Sequence, residues 1–264
     1  MIMGAPGGGQ PLAVPAAALS MYTVDEEGRL TGWSNRMMAG EYSDVTVAGR
    51  VDVNANCTGT IRLTMTPLGS QSPLPGEAIS RIVVVDSGNE MMAMTVTGIM
   101  GQSIGGELYR RIVRNSQTAP KCTAETVSGT YAAGGLGFGI ALMPVPGQPQ
   151  PLTLPFSGIG AVVIDSLGGV TGGVTQSVGG QLVEQVMAAN SRYEVFEDCT
   201  AYLTFRLNPK GVPGTPSGPP SMEKHIILDN GAEIRTLTLA APGVKLVTPG
   251  VWKRMSKETA PVAW

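Results

Sequence analysis

Two acids and two arginines recur in this chain at one spacing. Glu90 and Glu233 stand 143 residues apart, and so do Arg111 and Arg254. Acid and base repeated in this way, within segments that are otherwise apolar, point to a charge pair inside the fold or at its rim. One reading is a structural salt bridge. In the other, Arg111 and Arg254 hold an enolate, carboxylate or quinone oxygen, while Glu90, Glu233 and His225 exchange protons. His225 is the sole histidine. It serves either as a half-buried strand residue or as a general base lining a cavity. Aromatic residues are only 5% of the chain, so Trp33, Tyr109 and Trp252 stand out. With the soft side chains of Met92 and Met94, they could line a site for an apolar molecule, or simply pack a core. The chain offers no His-rich metal set and no CxxC pair. No glycine run is followed by GK[ST] and a helix, so there is no phosphate loop. The expected chemistry therefore uses neither metal nor cofactor.

The paired spacing belongs to a longer repeat. Shifted by 140 residues, segment 3–32 lies on 143–172 without a gap. Met3, Pro6, Gly7, Gln10, Pro11, Leu12, Pro15, Asp25, Gly28, Thr31 and Gly32 find identical partners. A shift of 142 puts Cys57 on Cys199, and 143 puts SRIVVVDSGNEMMAMTV on EKHIILDNGAEIRTLTL. The slow growth of the offset marks small loop insertions between preserved strands. The chain thus reads as two copies of one unit, 1–118 and 119–264, expected to form one compact fold.

Each unit reads as strands. In the second, a glycine-rich first strand is expected over 126–142. Strands 156–165 and 170–177 flank a tight turn, and 181–187, 191–196 and 200–207 follow. Then 224–229 and 232–240 flank Asn230-Gly231, a strong hairpin signal, and 244–255 closes the unit. Residues 103–114 read as a strand or a short turn of helix. The expected class is all-β, an antiparallel barrel or paired half-barrels. The first strand of the second unit maps to positions before residue 1, so unit one is expected to lack it. Truncation, removal of an upstream segment and asymmetric closure all account for that.

The three cysteines are Cys57, Cys122 and Cys199. If Cys122 and Cys199 pair, the counterpart partner of Cys57 falls in the missing segment and Cys57 is free. Three buried reduced thiols remain the alternative.

Composition narrows the function classes. A net charge of −2 and the lack of any Lys/Arg run give no footprint for nucleic acid. No apolar stretch reaches the roughly 18 residues that span a bilayer as a helix. The apolar N-terminus lacks a basic n-region and is broken by glycine and proline, so it does not read as a signal peptide.

The cadence SGTYAAGGLGFGIAL, LPFSGIGAVVIDSLGGVTG, SRYEVFEDCTAYLTF, ILDNGAEI and VTPGVWKRM resembles a group of small secreted bacterial and fungal β proteins. Their units share a GTY strand, a D-C-T-G turn and a D-N-G hairpin. The resemblance implies a barrel of allene-oxide-cyclase or calycin look and, by analogy of fold, a cofactor-free cyclase such as the fungal hetero-Diels–Alderases. It implies an apolar natural-product substrate, a secretory or extracellular setting and a homodimer as an option. A hydrophobic-ligand carrier and a non-catalytic structural module are the competing readings.

Overall fold

The computed structural model describes residues 2–3, 12–13, 15–38, 40–99, 105–110, 121–135, 139–143, 146–147, 152–212, 219–241, 243 and 245–259. The chain divides into two compact units, Met1–Arg114 and Asn115–Trp264. Both are antiparallel and almost wholly β, as the strand-and-turn patterning requires. Among the described residues no helix is long and apolar enough to cross a membrane.

Unit one opens with a two-residue ladder, β1 (Ile2–Met3) on β2 (Leu12–Ala13). Seven strands then form a curled meander in which each pairs with its successor. They are β3 (Ala16–Val24), β4 (Arg29–Met38), β5 (Glu41–Val53), β6 (Thr58–Pro67), β7 (Ala78–Val85), β8 (Glu90–Thr97) and β9 (Gly105–Arg110). Segment 105–110, left open between strand and helix by its sequence, is thus a strand. Alternation sets the inner face. Val45, Val47, Ile61, Leu63 and Met65 point inward on β5 and β6, and Leu30, Ile82 and Ala93 complete that core. The rings of Tyr22 and Tyr109 meet at 5.8 Å.

Unit two begins with a helical turn, α1 (Ala124–Val127), where the sequence predicts strand. Thr123 and Thr126 cap it reciprocally. The long first strand expected over 126–142 is instead β10 (Gly129–Gly135) and β11 (Gly139–Met143). Next come β12 (Leu152–Ile164), β13 (Val170–Val178), β14 (Gln181–Met187), β15 (Arg192–Val195), β16 (Thr200–Phe205) and β17 (Leu207–Pro209). The unit ends with β18 (Ser221–Leu228), β19 (Glu233–Ala240), β20 (Lys245–Val247) and β21 (Pro249–Ser256). The ladder runs β15-β16-β18-β19-β21-β10-β12-β13-β14-β17. Its two ends are continuous in sequence with interior members: β15 follows β14, and β17 follows β16. The sheet is strongly curled: β17 continues β16 across Arg206 and pairs with β14, and Gly169 bridges Arg192. Strand β10 lies within it, with Tyr131 opposite Val162 on one side and Arg254 on the other. The corresponding run in unit one, β3 to β9, has no such strand between its ends among the described residues.

The turns of the two units agree atom for atom at several places. Asp25 and Asp165 open tight turns that end in left-handed glycines, Gly28 (φ 78°) and Gly168 (φ 79°). The Asp165 carboxylate accepts from the backbone N–H of Leu167 and Gly169, at 2.8 and 2.7 Å. Cys57 and Cys199 share φ 62°. Each carbonyl accepts from a strand two turns on, Val84 and Ile227 respectively, at 2.8 Å. Asp229-Asn230-Gly231 has three consecutive left-handed residues, as does Asp86-Ser87-Gly88. The hairpin at Asn230-Gly231 is thus wider than the two-residue loop its sequence suggests.

Cys122 and Cys199 form a disulfide. Cys57 is free and exposed.

Candidate functional site

The interior of the unit-two half-barrel is packed at one end and hollow at the other. The packed end holds Tyr131, Ile164, Val170, Tyr193, Ala201, Ile227 and Ile234. Along the same strands the inward positions further on line a cavity of about 460 Å³. Period-two alternation explains its wall. On β12 the lining residues include Phe156, Gly158, Gly160 and Val162; on β13 they are Val174, Gln176 and Val178; on β16 they are Leu203 and Phe205. Gly158 leaves room, since an added Cβ would meet only ordinary contacts, whereas at Gly160 it would strike the Gly173 carbonyl of the neighbouring strand. Trp252 on β21 spans the boundary, touching the packed core and facing the cavity. Pro219 and Ser221 also line it.

The wall also carries one carboxylate and one guanidinium, Glu223 and Arg206, beside several hydroxyl and amide groups. Glu223, its side chain 17% exposed, lines the cavity from β18. Its Oε2 lies 3.0 Å from His225 Nε2, and His225 Nδ1 lies 2.9 Å from the Tyr193 hydroxyl. Thr238 Oγ1 donates to Oε1 at 3.4 Å. When the carboxylate is ionised, Nε2–H donates to it and the tyrosine hydroxyl donates to Nδ1. The chain Glu223–His225–Tyr193 is then satisfied at every link. Glu223 and His225 are two apart on one strand, which puts both on the inner face. Burial pushes the Tyr193 hydroxyl well above its usual pKa, so it stays neutral. The His225 ring also packs edge-on against Trp252, with centroids 4.9 Å apart.

The residues singled out by sequence scatter differently. His225 is fully buried and sits behind Glu223, not on the cavity wall. Glu233 does not pair with Arg254. It is 1% exposed and binds Arg235 Nε at 2.5 Å and Lys253. Register decides this: Lys253, not Arg254, stands opposite Glu233, and successive residues of a strand face opposite ways. Arg254 instead donates to the Tyr131 hydroxyl at 3.0 Å and to the carbonyls of Asn230 and Thr126. It locks α1, β10 and the Asp229–Gly231 turn together. Burial raises the Tyr131 pKa, and Arg254 partly offsets that.

In unit one, Glu90 is half-buried opposite Arg110, while Arg111 lies outside the described residues. Trp33 on β4 and Tyr109 on β9 are half-buried. Met92 and Met94 face outward, 58% and 53% exposed, because Met91 and Ala93 take the inward positions of β8. Of the binding residues proposed, only Trp252 faces the cavity. Glu223 escaped the sequence reading, although the pattern Glu-x-His on a strand places both on one face.

Among the described residues, no group of three or more His, Cys, Asp or Glu side chains could hold a metal. Comparison with family models, curated proteins and solved structures finds no match for this chain.

Proposed function

We propose that unit two binds an apolar small molecule inside its half-barrel. One observation carries this reading: an inner cavity of about 460 Å³, walled by Phe156, Val174, Val178, Leu203, Phe205 and Trp252, with one carboxylate and one guanidinium on its wall. That volume is within the range of small-molecule sites, which are mostly apolar with few placed polar groups. A cofactor-free cyclase or isomerase is the second reading. The Glu223–His225–Tyr193 chain favours it, because it sets a proton-exchanging carboxylate beside a space that can hold one reactive conformer. The disulfide supports an oxidising, extracellular setting, and the shared turns support descent of both units from one by duplication.

The test is uptake of a neutral apolar dye, Nile red, by the full chain, compared with Val174→Trp. Val174 is half-buried on the cavity wall, and the larger ring would fill the space. Saturable dye binding that the variant loses by at least tenfold supports the reading. Absence of saturable binding by the native chain refutes it. For the second reading, turnover of a reactive polyene or quinone methide that Glu223→Gln abolishes separates a catalyst from a carrier.

A further inference from the structure

Several positions that are buried in unit two are open in unit one, and in unit two a single segment buries them. There, Cys122, Val127 and Tyr131, from the stretch that runs through α1 into β10, share one buried cluster with Ile164, Cys199 and Trp252. At the repeat spacing, the counterparts of Ile164 and Cys199 are Val24 and Cys57. Ile164 is fully buried, whereas Val24 is 43% exposed. Cys199 is buried and bonded to Cys122, whereas Cys57 is exposed and free. Along the same seam Ile227, Leu228 and Glu233 are buried, while their counterparts Val84, Val85 and Glu90 are only half-buried. Among the described residues no strand pairs with the far edge of β3 or of β9, the places that β10 takes on β12 and β21.

The backbone of this seat is kept. Cys57 has the φ of 62° found at Cys199, and its carbonyl accepts from Val84 as that of Cys199 accepts from Ile227, both at 2.8 Å. One difference bears on the occupant. Tyr131 stands opposite Val162, and its ring lies 6.3 Å from that of Trp252. The counterparts of those two neighbours are Tyr22 and Tyr109, whose rings meet at 5.8 Å. Tyr22 is larger than Val162 and takes room that Tyr131 fills in unit two. A strand in this seat therefore carries a small residue at that point.

We propose that unit one is a receptor for a strand of another protein, an extended segment with a cysteine placed as Cys122 is placed ahead of β10 and a small residue where unit two has Tyr131. Main-chain pairing with the edges of β3 and β9 supplies affinity, as in strand addition to an open sheet. Covering Val24 adds to it. The covalent step is thiol–disulfide exchange. The Cys57 thiolate attacks a mixed disulfide on the partner cysteine, one S–S bond forms as another breaks, and the departing thiolate takes up the proton that Cys57 released. A second copy of this chain is a poor occupant, because lending its own segment would break its Cys122–Cys199 bond and open its unit-two core.

The experiment offers the full chain a synthetic peptide of residues 121–135 bearing Tyr131→Ala, with its cysteine carried as the glutathione mixed disulfide. Intact-mass spectrometry follows transfer of the peptide to Cys57. Docking before exchange raises the local concentration of the disulfide, so this peptide should transfer at least about tenfold faster than a scrambled one with the same cysteine. Val24→Asp, at an exposed position, should abolish that advantage and leave the reaction of Cys57 with glutathione disulfide unchanged. Equal rates for the two peptides would overturn the proposal, as would an advantage that survives Val24→Asp. Two full chains joining through Cys57 faster than the peptide transfers would give the seat to a second copy and overturn the partner.

Discussion

Removing the disulfide should destabilise unit two alone. Cys122 and Cys199 are 77 residues apart, and cross-linking them restricts the unfolded chain. The chain-entropy relation gives about 15 cal/mol/K for a loop of that length, or about 4.5 kcal/mol at room temperature. For a domain of about 150 residues each kcal/mol moves the midpoint by roughly 2–4 °C, so a fall on the order of 10–15 °C is expected. The perturbation is the double variant Cys122→Ala with Cys199→Ala. Unit one supplies the control, because Cys57 has the same φ of 62° in the same turn but carries a free thiol. Cys57→Ala should change stability by less than about 0.5 kcal/mol. Hydrogen-exchange mass spectrometry across a urea series reads the two units separately. Peptides from β16, β18 and β19 should lose protection at lower urea in the double variant, and peptides from β5 to β7 should not. Unit-two peptides that open at the native urea concentration would refute the reasoning. So would a control that loses as much as the double variant.

Two further outcomes test the buried polar chain and the turn behind it. Tyr193 has a raised pKa in the folded state, so its contribution is fully present below the unfolded value of about 10 and is lost as pH rises towards the folded value. Each such group adds a slope of about 1.4 kcal/mol per pH unit above that point. Thermal melts from pH 9 to 11.5 should therefore steepen downward in the native chain and flatten in Tyr193→Phe, whatever the offset between them at neutral pH. Gly231 and Gly211 are both left-handed, at φ 79° and 80°, but an added Cβ at 231 would strike the Thr126 carbonyl while 211 faces open space. Gly211→Ala should cost only the backbone strain of about 1–2 kcal/mol. Gly231→Ala should cost at least about 3 kcal/mol in the same melts, because backbone and Arg254 must both move.

Turn chemistry made much of this fold readable. Asp25 with Gly28, Asp165 with Gly168, and the pair Cys57 and Cys199 each mark a backbone requirement that few residues meet, so their spacing is preserved where side chains drift. The inner rows were readable for the same reason, since period two on β12, β13 and β16 follows directly from the pleat. The break between β10 and β11 was not, because a glycine-rich run lacks the side chains that signal where a strand ends. The charge pair failed at the finest level. Glu233 and Arg254 are conspicuous in sequence, yet a single residue of register gives Glu233 to Lys253 and Arg254 to Tyr131. Glu223 was missed because its role depends on the void in front of it, and a void has no sequence of its own. Trp252 reads from sequence as either core or cavity lining, and its place at the boundary of the two is set by the fold.

The pairing of the first long strand of unit two with its last has a consequence for the order in which the chain can fold. Strand β10 pairs with β21, and Tyr131 meets Arg254 across 123 residues of sequence. Synthesis must deliver the last strand before the first can be sealed, so β10 spends that interval with one edge bare. Contacts this remote are entropically expensive to form, and they slow folding. The disulfide restricts that search: joined to Cys199, Cys122 holds the start of β10 near β16. Unit one needs no such tether, because every strand from β4 to β9 finds its neighbour immediately before it. Two units of one pattern thus differ in timing, the first zipping as it emerges and the second completed only at its end.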